Sequence, residues 1–376
     1  MAGIYIHIPF CKKACNYCNF HFSTSLALKD QLLNALKEEL RLQSGYLKNN
    51  TIDTIYFGGG TPSLLSAREL QDIFAQIEKH YIIDNLLECT LEANPDDLDT
   101  PYVKALRNTA INRLSIGVQS FKAADLKFMN RAHTVQQVDY ALKCAQDNGF
   151  ANLSIDLIYG TPDLSIQEWE QHLNTMLSYE IPHFSSYALT VEPQTALAHK
   201  IKTHQLPALN SEAAAQHFLR LMEWANEKGF DHYEISNFGK PGAHAIHNTN
   251  YWKGIPYLGI GPSAHSFNHH SRQWNIANNQ QYITALLKEQ IIPSTSEVLS
   301  IADQVNEYIM TSLRTMWGCD LYKIKNTWGI ILNTTIIEKY NQQELLQVQD
   351  HILLLTQQGK LFADAIAADL FIDSWK

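Results

Sequence analysis

The feature that most constrains the fold is an alternation of period over the first two-thirds of the chain. Strand-like segments recur as GIYIHI (3–8), TIDTIYFGGG (51–60), LLECTLEANP (86–95), INRLSIGVQS (111–120), ANLSIDLIYG (151–160), HFSSYAL (183–189) and FDHYEISN (230–237). Helical stretches separate them. Residues 29–45 place Leu32, Leu33, Leu36 and Leu40 on one face, and Ser66 with Glu69 has capping-box spacing at the start of a helix reaching about His80. Pro101 opens a short helix, and further helices cover 135–148, 166–179 and 211–228, with Gly149 and Gly229 just past two of the ends. Strand–helix alternation of this kind predicts βαβ units and a parallel sheet. Six or seven units point to an α/β fold of the TIM-like barrel type, incomplete. Gly58–Gly60, Glu92, Gln119 and Asp156 follow or end successive strands, and in barrels that end of the strands carries the active site.

The pattern divides the chain into three parts. Residues 1–235 form the barrel. Residues 236–300 are irregular and rich in Gly, Asn, His and aromatics, and complete the core. Residues 301–376, with ADQVNEYIMTSLRTM and QELLQVQDHILLLTQQGKL, read as a small, mostly helical C-terminal domain.

Lys and Arg total 29 against 38 Asp and Glu, a net charge of −9, which disfavours a nucleic-acid partner bound through the overall field. The start MAGIYIHIPF lacks a basic leader, and no apolar run approaches the about 18 residues of a membrane span. A cytoplasmic, reducing location is the expectation.

Of six cysteines, Cys11, Cys15 and Cys18 fall together as CxxxCxxC, while Cys89, Cys144 and Cys319 are scattered and read as small buried hydrophobes. Three thiolates on one loop can hold three corners of a [4Fe–4S] cubane, leaving one iron open for a ligand. A structural zinc site is the alternative, with His21 as its fourth ligand.

The segments YIHIPFCKKACNYCNF, FGGGTPS, LEANPD, GVQSF and DLIYG follow in that order from Tyr5. In this the chain resembles the radical SAM superfamily, and within it the oxygen-independent coproporphyrinogen III oxidase (HemN-like) family. The resemblance implies a radical SAM barrel, a cluster on Cys11, Cys15 and Cys18, and S-adenosylmethionine (SAM) at its open iron. It implies that Tyr5 and Tyr17 contact SAM, that Gly58, Gly59, Gly60 and Thr61 receive its amino group, and that Glu92 contacts it. Gln119, Arg131 and Asp156 match positions associated with SAM or a second SAM molecule. In the family, an electron from the cluster, supplied by a reductant protein, cleaves SAM to methionine and a 5′-deoxyadenosyl radical.

Two departures favour one branch. Phe20 stands where the oxidases have a fourth cysteine, and the chain starts almost at its first strand. Both features look like the HemW branch of heme chaperones. His247-Asn248-Thr249-Asn250-Tyr251-Trp252 matches the HNxxYW motif associated there with heme. The resemblance implies heme ligation by His247, with His244, His265, His269 and His270 as weaker candidates, and apo-hemoproteins as heme acceptors. The other expectation is decarboxylation of coproporphyrinogen III to protoporphyrinogen IX.

Overall fold

The computed structural model describes residues 1–372. Twelve strands form one sheet: β1 (Gly3–Ile8), β2 (Thr54–Gly59), β3 (Glu88–Ala93), β4 (Arg113–Gln119), β5 (Leu153–Tyr159), β6 (His183–Ala188), β7 (Asp231–Glu234), β8 (Asn237–Gly239), β9 (Tyr257–Ile260), β10 (His265–Phe267), β11 (Ser271–Asn275) and β12 (Ser294–Val298). Their order is β12-β11-β10-β9-β1-β2-β3-β4-β5-β6-β8-β7. Strands β9 and β1 to β6 are parallel, and the flanking strands are antiparallel. The two edge strands do not pair, so the barrel is incomplete, as its repeat count implies.

The segment 230–237 departs from the expected pattern. It does not supply a further parallel strand. Residues 231–239 turn back as the β7–β8 hairpin, with β8 antiparallel to β6 and Phe238 stacked on Phe184 at 4.9 Å. The seventh parallel strand is β9, only four residues long, which adds beside β1. Close approach of β9 to the next strand depends on Gly259, where a Cβ would lie 2.0 Å from the His265 carbonyl oxygen.

Period-2 alternation sorts the parallel strands into two faces. Ile4, Ile6, Ile8, Ile55, Phe57, Leu91, Leu114, Ile116, Ile155 and Leu157 are buried in the main hydrophobic core with the surrounding helices. Each such burial contributes about 1.5–3 kcal/mol. The intervening positions face the barrel interior and are polar or aromatic: Tyr5, His7, Tyr56, Glu92, Arg113, Ser115 and Asp156. Helices begin where the sequence indicates. Ser66 and Glu69 form a complete capping box before Ala67–His80, and Ser165 with Glu168 does so before Ile166–Ser178.

A second hydrophobic cluster runs from Val305 to Leu370. It joins the helices Ile301–Leu313, Leu321–Trp328, Thr334–Gln342 and Ala363–Leu370 to a three-stranded sheet of β13 (Cys319–Asp320), β14 (Leu346–Gln349) and β15 (Ile352–Leu355). The stretch expected to be helical around 343–355 is therefore a hairpin. Asp350 adopts φ 55° at its turn, and Leu346, Leu353 and Leu355 bury on a two-residue period.

Candidate cluster and cofactor site

The three clustered cysteines lie on the long loop that leaves β1, at the C-terminal end of the parallel strands. Backbone hydrogen bonds close the base of this loop, Cys11 N–H to Ser23 O at 3.0 Å and Ser23 N–H to Pro9 O at 2.8 Å. Its tip is tied to the far side of the barrel. Asn16 donates through Nδ2 to Phe128 O at 2.6 Å, and Asn130 Nδ2 donates to Ala14 O at 2.7 Å. All three thiols remain partly exposed, whereas Cys89, Cys144 and Cys319 are buried, as expected. Burial pushes the Cys11 thiol up to about 11 and Cys18 up as well, so ligation must displace protons.

Among the described residues, no three His, Cys, Asp or Glu side chains converge as the ligands of a single ion would. A cubane spreads its thiolates over separate irons and does not need that convergence. His21 Nε2 pairs with Asn279 Oδ1 at 2.7 Å. A tetrahedral zinc site needs that convergence, which the described residues do not show.

Opposite the loop, the end of β2 supplies backbone without side chains. A Cβ on Gly60 would lie 2.5 Å from Phe10 O, and one on Gly59 would lie 2.5 Å from the His7 ring at φ +105°. Gly60 N–H donates to Ile8 O at 2.9 Å and Thr61 N–H to Phe10 O at 2.7 Å, so the glycine turn is bonded directly to the start of the cysteine loop. Glu92 faces the same turn. It accepts from Tyr56 Oη at 2.8 Å and from Gly59 N–H at 3.2 Å. Burial pushes its carboxyl up to about 7, Asp156 adds to the rise, and the Tyr56 and Gly59 bonds oppose it. Tyr5 stacks on Tyr56 at 6.1 Å, and its hydroxyl pairs with His7 Nδ1 at 3.2 Å.

Arg131 joins the two halves of the site. Its Nη1 donates to Cys15 Sγ at 3.3 Å and to Tyr17 Oη at 3.5 Å, and its Nη2 donates to Asn94 Oδ1 at 2.6 Å and Gly117 O at 3.0 Å. Gly117 is where these groups meet: a Cβ there would lie 3.0 Å from Gln119 Nε2, 3.1 Å from Arg131 Nη2 and 3.6 Å from Asn94 Oδ1. Gln119 itself holds φ 66°, at a register irregularity of β4. Asp156 lies inside the barrel; burial raises its carboxyl, while Ser185, Arg113 and Arg131 hold it down. Asn94, Gly117 and Tyr56 escaped the sequence reading. The signal for Asn94 was its place directly after Glu92 and Ala93, at a strand end.

These residues fit a [4Fe–4S] cluster with SAM beside it. Three accessible thiols sit on a rigid loop, a cation donates to one sulfur, a glycine turn leaves room for close approach, and a carboxylate faces that turn.

His247 lies away from the cysteine loop. The HNTNYW motif forms the short helix Ile246–Trp252. That helix sits at the N-terminal ends of the strands, because Glu88, the first residue of β3, accepts from Ile246 N–H at 2.7 Å and His247 N–H at 3.0 Å. The His247 ring is buried. Its Nδ1 pairs with Thr54 Oγ1 at 2.8 Å, its Nε2 with Tyr251 Oη at 2.8 Å, and the ring stacks on Tyr56 at 5.2 Å. Burial lowers its pKa to about 3. Both ring nitrogens are hydrogen-bonded. His244 is likewise held, by Asp231 at 2.9 Å.

Asn248, Tyr251 and Trp252 line a cavity of about 1090 Å³ that extends from Phe20 and His21 of the cysteine loop to Tyr308 and Trp328 of the C-terminal cluster. His265 and His269 are on its wall.

Residues 5–176 match the family model described as the radical SAM superfamily. The chain is 31% identical to the protein named heme chaperone HemW of Bacillus subtilis, over 97% of this chain and 98% of that one. It is 34% identical to the protein of the same name in Lactococcus lactis, over 93% and 92%. Among solved structures, Escherichia coli coproporphyrinogen III oxidase (HemN) superposes with a TM-score of 0.84 at 21% identity, covering 98% of this chain and 90% of that one, a likeness of fold.

Proposed function

The chain belongs to the HemW family of the radical SAM superfamily, and from that premise we propose that it binds heme and delivers it to apo-hemoproteins. The observation that carries this reading is the cavity. Tyr251 and Trp252 of the HNxxYW motif share it with Phe20 and His21 of the cysteine loop. A flat macrocycle suits walls made of aromatic faces. Phe20 is exposed there, at the position where a fourth cysteine would otherwise stand, and offers one more such face.

Membership of the superfamily implies a [4Fe–4S] cluster and SAM. When bound, the cluster supplies one electron to the sulfonium of SAM. In our reading Cys11, Cys15 and Cys18 hold the cluster, and Arg131 donates to the Cys15 sulfur and fixes the loop against Asn94. Gly58, Gly59, Gly60 and Thr61 offer backbone groups to the amino and carboxylate end of SAM, and Glu92 takes its ammonium. Tyr5 and Tyr17 close the sides, while Gln119 and Asp156 bound the interior. A reductant protein and a cytoplasmic setting complete the proposal. Among the described residues no helix is long and apolar enough to cross a membrane.

Decarboxylation of coproporphyrinogen III is the second reading, favoured by the complete set of cofactor-site motifs. Handover of heme is tested by loading the reconstituted protein with hemin and mixing it with apomyoglobin as a generic acceptor. A transfer rate that rises with acceptor concentration supports delivery. Failure to bind hemin, or transfer no faster than spontaneous dissociation, overturns it.

A further inference from the structure

We propose that the free edge of β12 (Ser294–Val298) pairs antiparallel with β12 of a second copy of this chain, about a twofold axis at Ser296. The proposal stands apart from the cofactor and heme readings above.

Strand β12 ends the main sheet and, among the described residues, pairs only with β11. All five of its residues are exposed, and its register with β11 is regular. Edge strands are ordinarily guarded by lysines, bulges, prolines or a covering segment. Residues 291–301, IIPSTSEVLSI, contain no Lys or Arg. Pro293 does not guard the edge either. It lies opposite Ile276, whose N–H donates to Pro293 O at 2.8 Å, so its backbone is turned toward β11.

The direction of each backbone group follows from the ladder. Leu299 N–H donates to His270 O at 2.9 Å, so Leu299 faces β11 as Pro293 does. In an antiparallel pair, residues that exchange bonds alternate with residues whose groups point away. Thr295 and Glu297 therefore bond to β11, while Ser294, Ser296 and Val298 point outward. Ser294 N–H is taken by Ile292 O at 2.9 Å. The N–H groups of Ser296 and Val298 and the carbonyls of Ser294, Ser296 and Val298 are left at the edge.

This edge is complementary to itself. With Ser296 opposite Ser296 of the second copy, each donates its N–H to the other's carbonyl. Val298 N–H then donates to Ser294 O of the second copy, and the symmetry repeats that bond. Thr295 falls opposite Glu297, where a hydroxyl can donate to a carboxylate. An axis at Glu297 would instead set two carboxylates against each other, and like charges directly opposite are destabilising. An axis at Thr295 would carry Val298 past the end of the facing strand. Apolar side chains lie at both ends of β12: Ile291 is 54% exposed, Val298 86% and Ile301 52%. The antiparallel arrangement brings the Ile291 end of each copy to the Val298–Ile301 end of the other, which removes apolar surface from water. Matching of this kind favours a second copy over an unrelated extended segment, and an isologous pair closes at two copies.

The test is sedimentation velocity on the full chain over a range of concentrations. Wild type should pass from monomer to dimer, and no further, as concentration rises. Ser296→Pro deletes an outward N–H without touching a bond to β11, and should leave the chain monomeric. Thr295→Glu sets a carboxylate opposite Glu297 at two symmetric places and should raise the dimer dissociation constant about tenfold, whereas Thr295→Lys at the same exposed site should lower it by a similar factor. Both shifts should shrink in high salt. Hydrogen exchange resolved to single amides should show Ser296 and Val298 gaining protection as the dimer forms, while Thr295 and Glu297 keep the protection that β11 already provides. A wild type that stays monomeric at every concentration overturns the proposal. So does a dissociation constant that the two Thr295 substitutions leave unchanged or move in the same direction, a result that decides the matter even if Ser296→Pro fails to fold. A dimer in which Ser296 and Val298 gain no protection lies on another surface and overturns it too.

Discussion

Arg131 Nη1 donates to Cys15 Sγ at 3.3 Å, and the same guanidinium reaches Asn94, just past β3, and Gly117 on β4. One side chain therefore both charges the surroundings of a ligand sulfur and locks the cysteine loop against the barrel. Hydrogen bonds to ligand sulfurs raise the potential of an iron–sulfur centre. Arg131→Met should still assemble the cluster on reconstitution. Its midpoint potential should fall by about 50 mV, the equivalent of roughly 1 kcal/mol for one electron. Redox titration followed by electron paramagnetic resonance measures this. An unchanged potential would show that the contact is only structural.

The glycine turn predicts a sharper failure. Gly59→Ala must place a methyl group against the His7 ring at positive φ, and Gly60→Ala must place one against Phe10 O. Strain of this kind costs about 1–3 kcal/mol. Each variant should melt at a lower temperature than wild type and lose SAM binding by at least tenfold in equilibrium dialysis. Wild-type SAM affinity in both would remove the turn from the cofactor site.

Glu92 predicts a pH dependence. Burial holds its carboxyl at about 7, above the ordinary range, so much of it is protonated at pH 6. An ammonium bound beside it favours the ionised form, so SAM affinity should rise as pH rises from 6 to 7.5. Glu92→Gln should bind SAM about tenfold more weakly and show no such rise. Parallel profiles in the two proteins would contradict the assignment.

His247 predicts a stability effect. His247→Ala leaves Thr54 and Tyr251 without their partner, at about 1–3 kcal/mol per buried group. Its folded-state pKa of about 3 lies below the unfolded value near 6.5. The neutral ring therefore stabilises the fold fully above pH 6.5. That contribution is lost as pH falls from 6.5 toward 3, by at most about 1.4 kcal/mol per pH unit. The stability gap between wild type and His247→Ala, measured by urea unfolding, should narrow below pH 6. A gap independent of pH would mean that the imidazole titrates freely.

The sequence made the parallel strands readable because their outward residues are apolar and their C-terminal ends carry glycine or polar groups. The cysteine loop was readable from spacing alone. Two readings needed three dimensions. LLQVQDHILLL is apolar at intervals compatible with either period, and the turn at Asp350 decides for a hairpin. The HNTNYW motif is visible as residues, but not the place where its helix packs: His247 and Tyr251, four residues apart, share one face and bond to each other. His247 reaches Thr54 at the start of β2, and Tyr251, bonded to it, lines the cavity with Trp252. Strand order was not readable either: β9 closes against β1 across more than 240 residues of chain, a pairing that no local pattern encodes.

The most direct test of heme delivery against porphyrinogen chemistry is an anaerobic turnover assay. The protein, reconstituted with iron and sulfide and supplied with SAM and a reductant, is incubated with coproporphyrinogen III, with a hemin titration of the same preparation in parallel. We predict saturable hemin binding and no protoporphyrinogen IX above the level of a Cys11→Ala/Cys15→Ala/Cys18→Ala control. Sustained formation of protoporphyrinogen IX, absent from that control, would contradict the account.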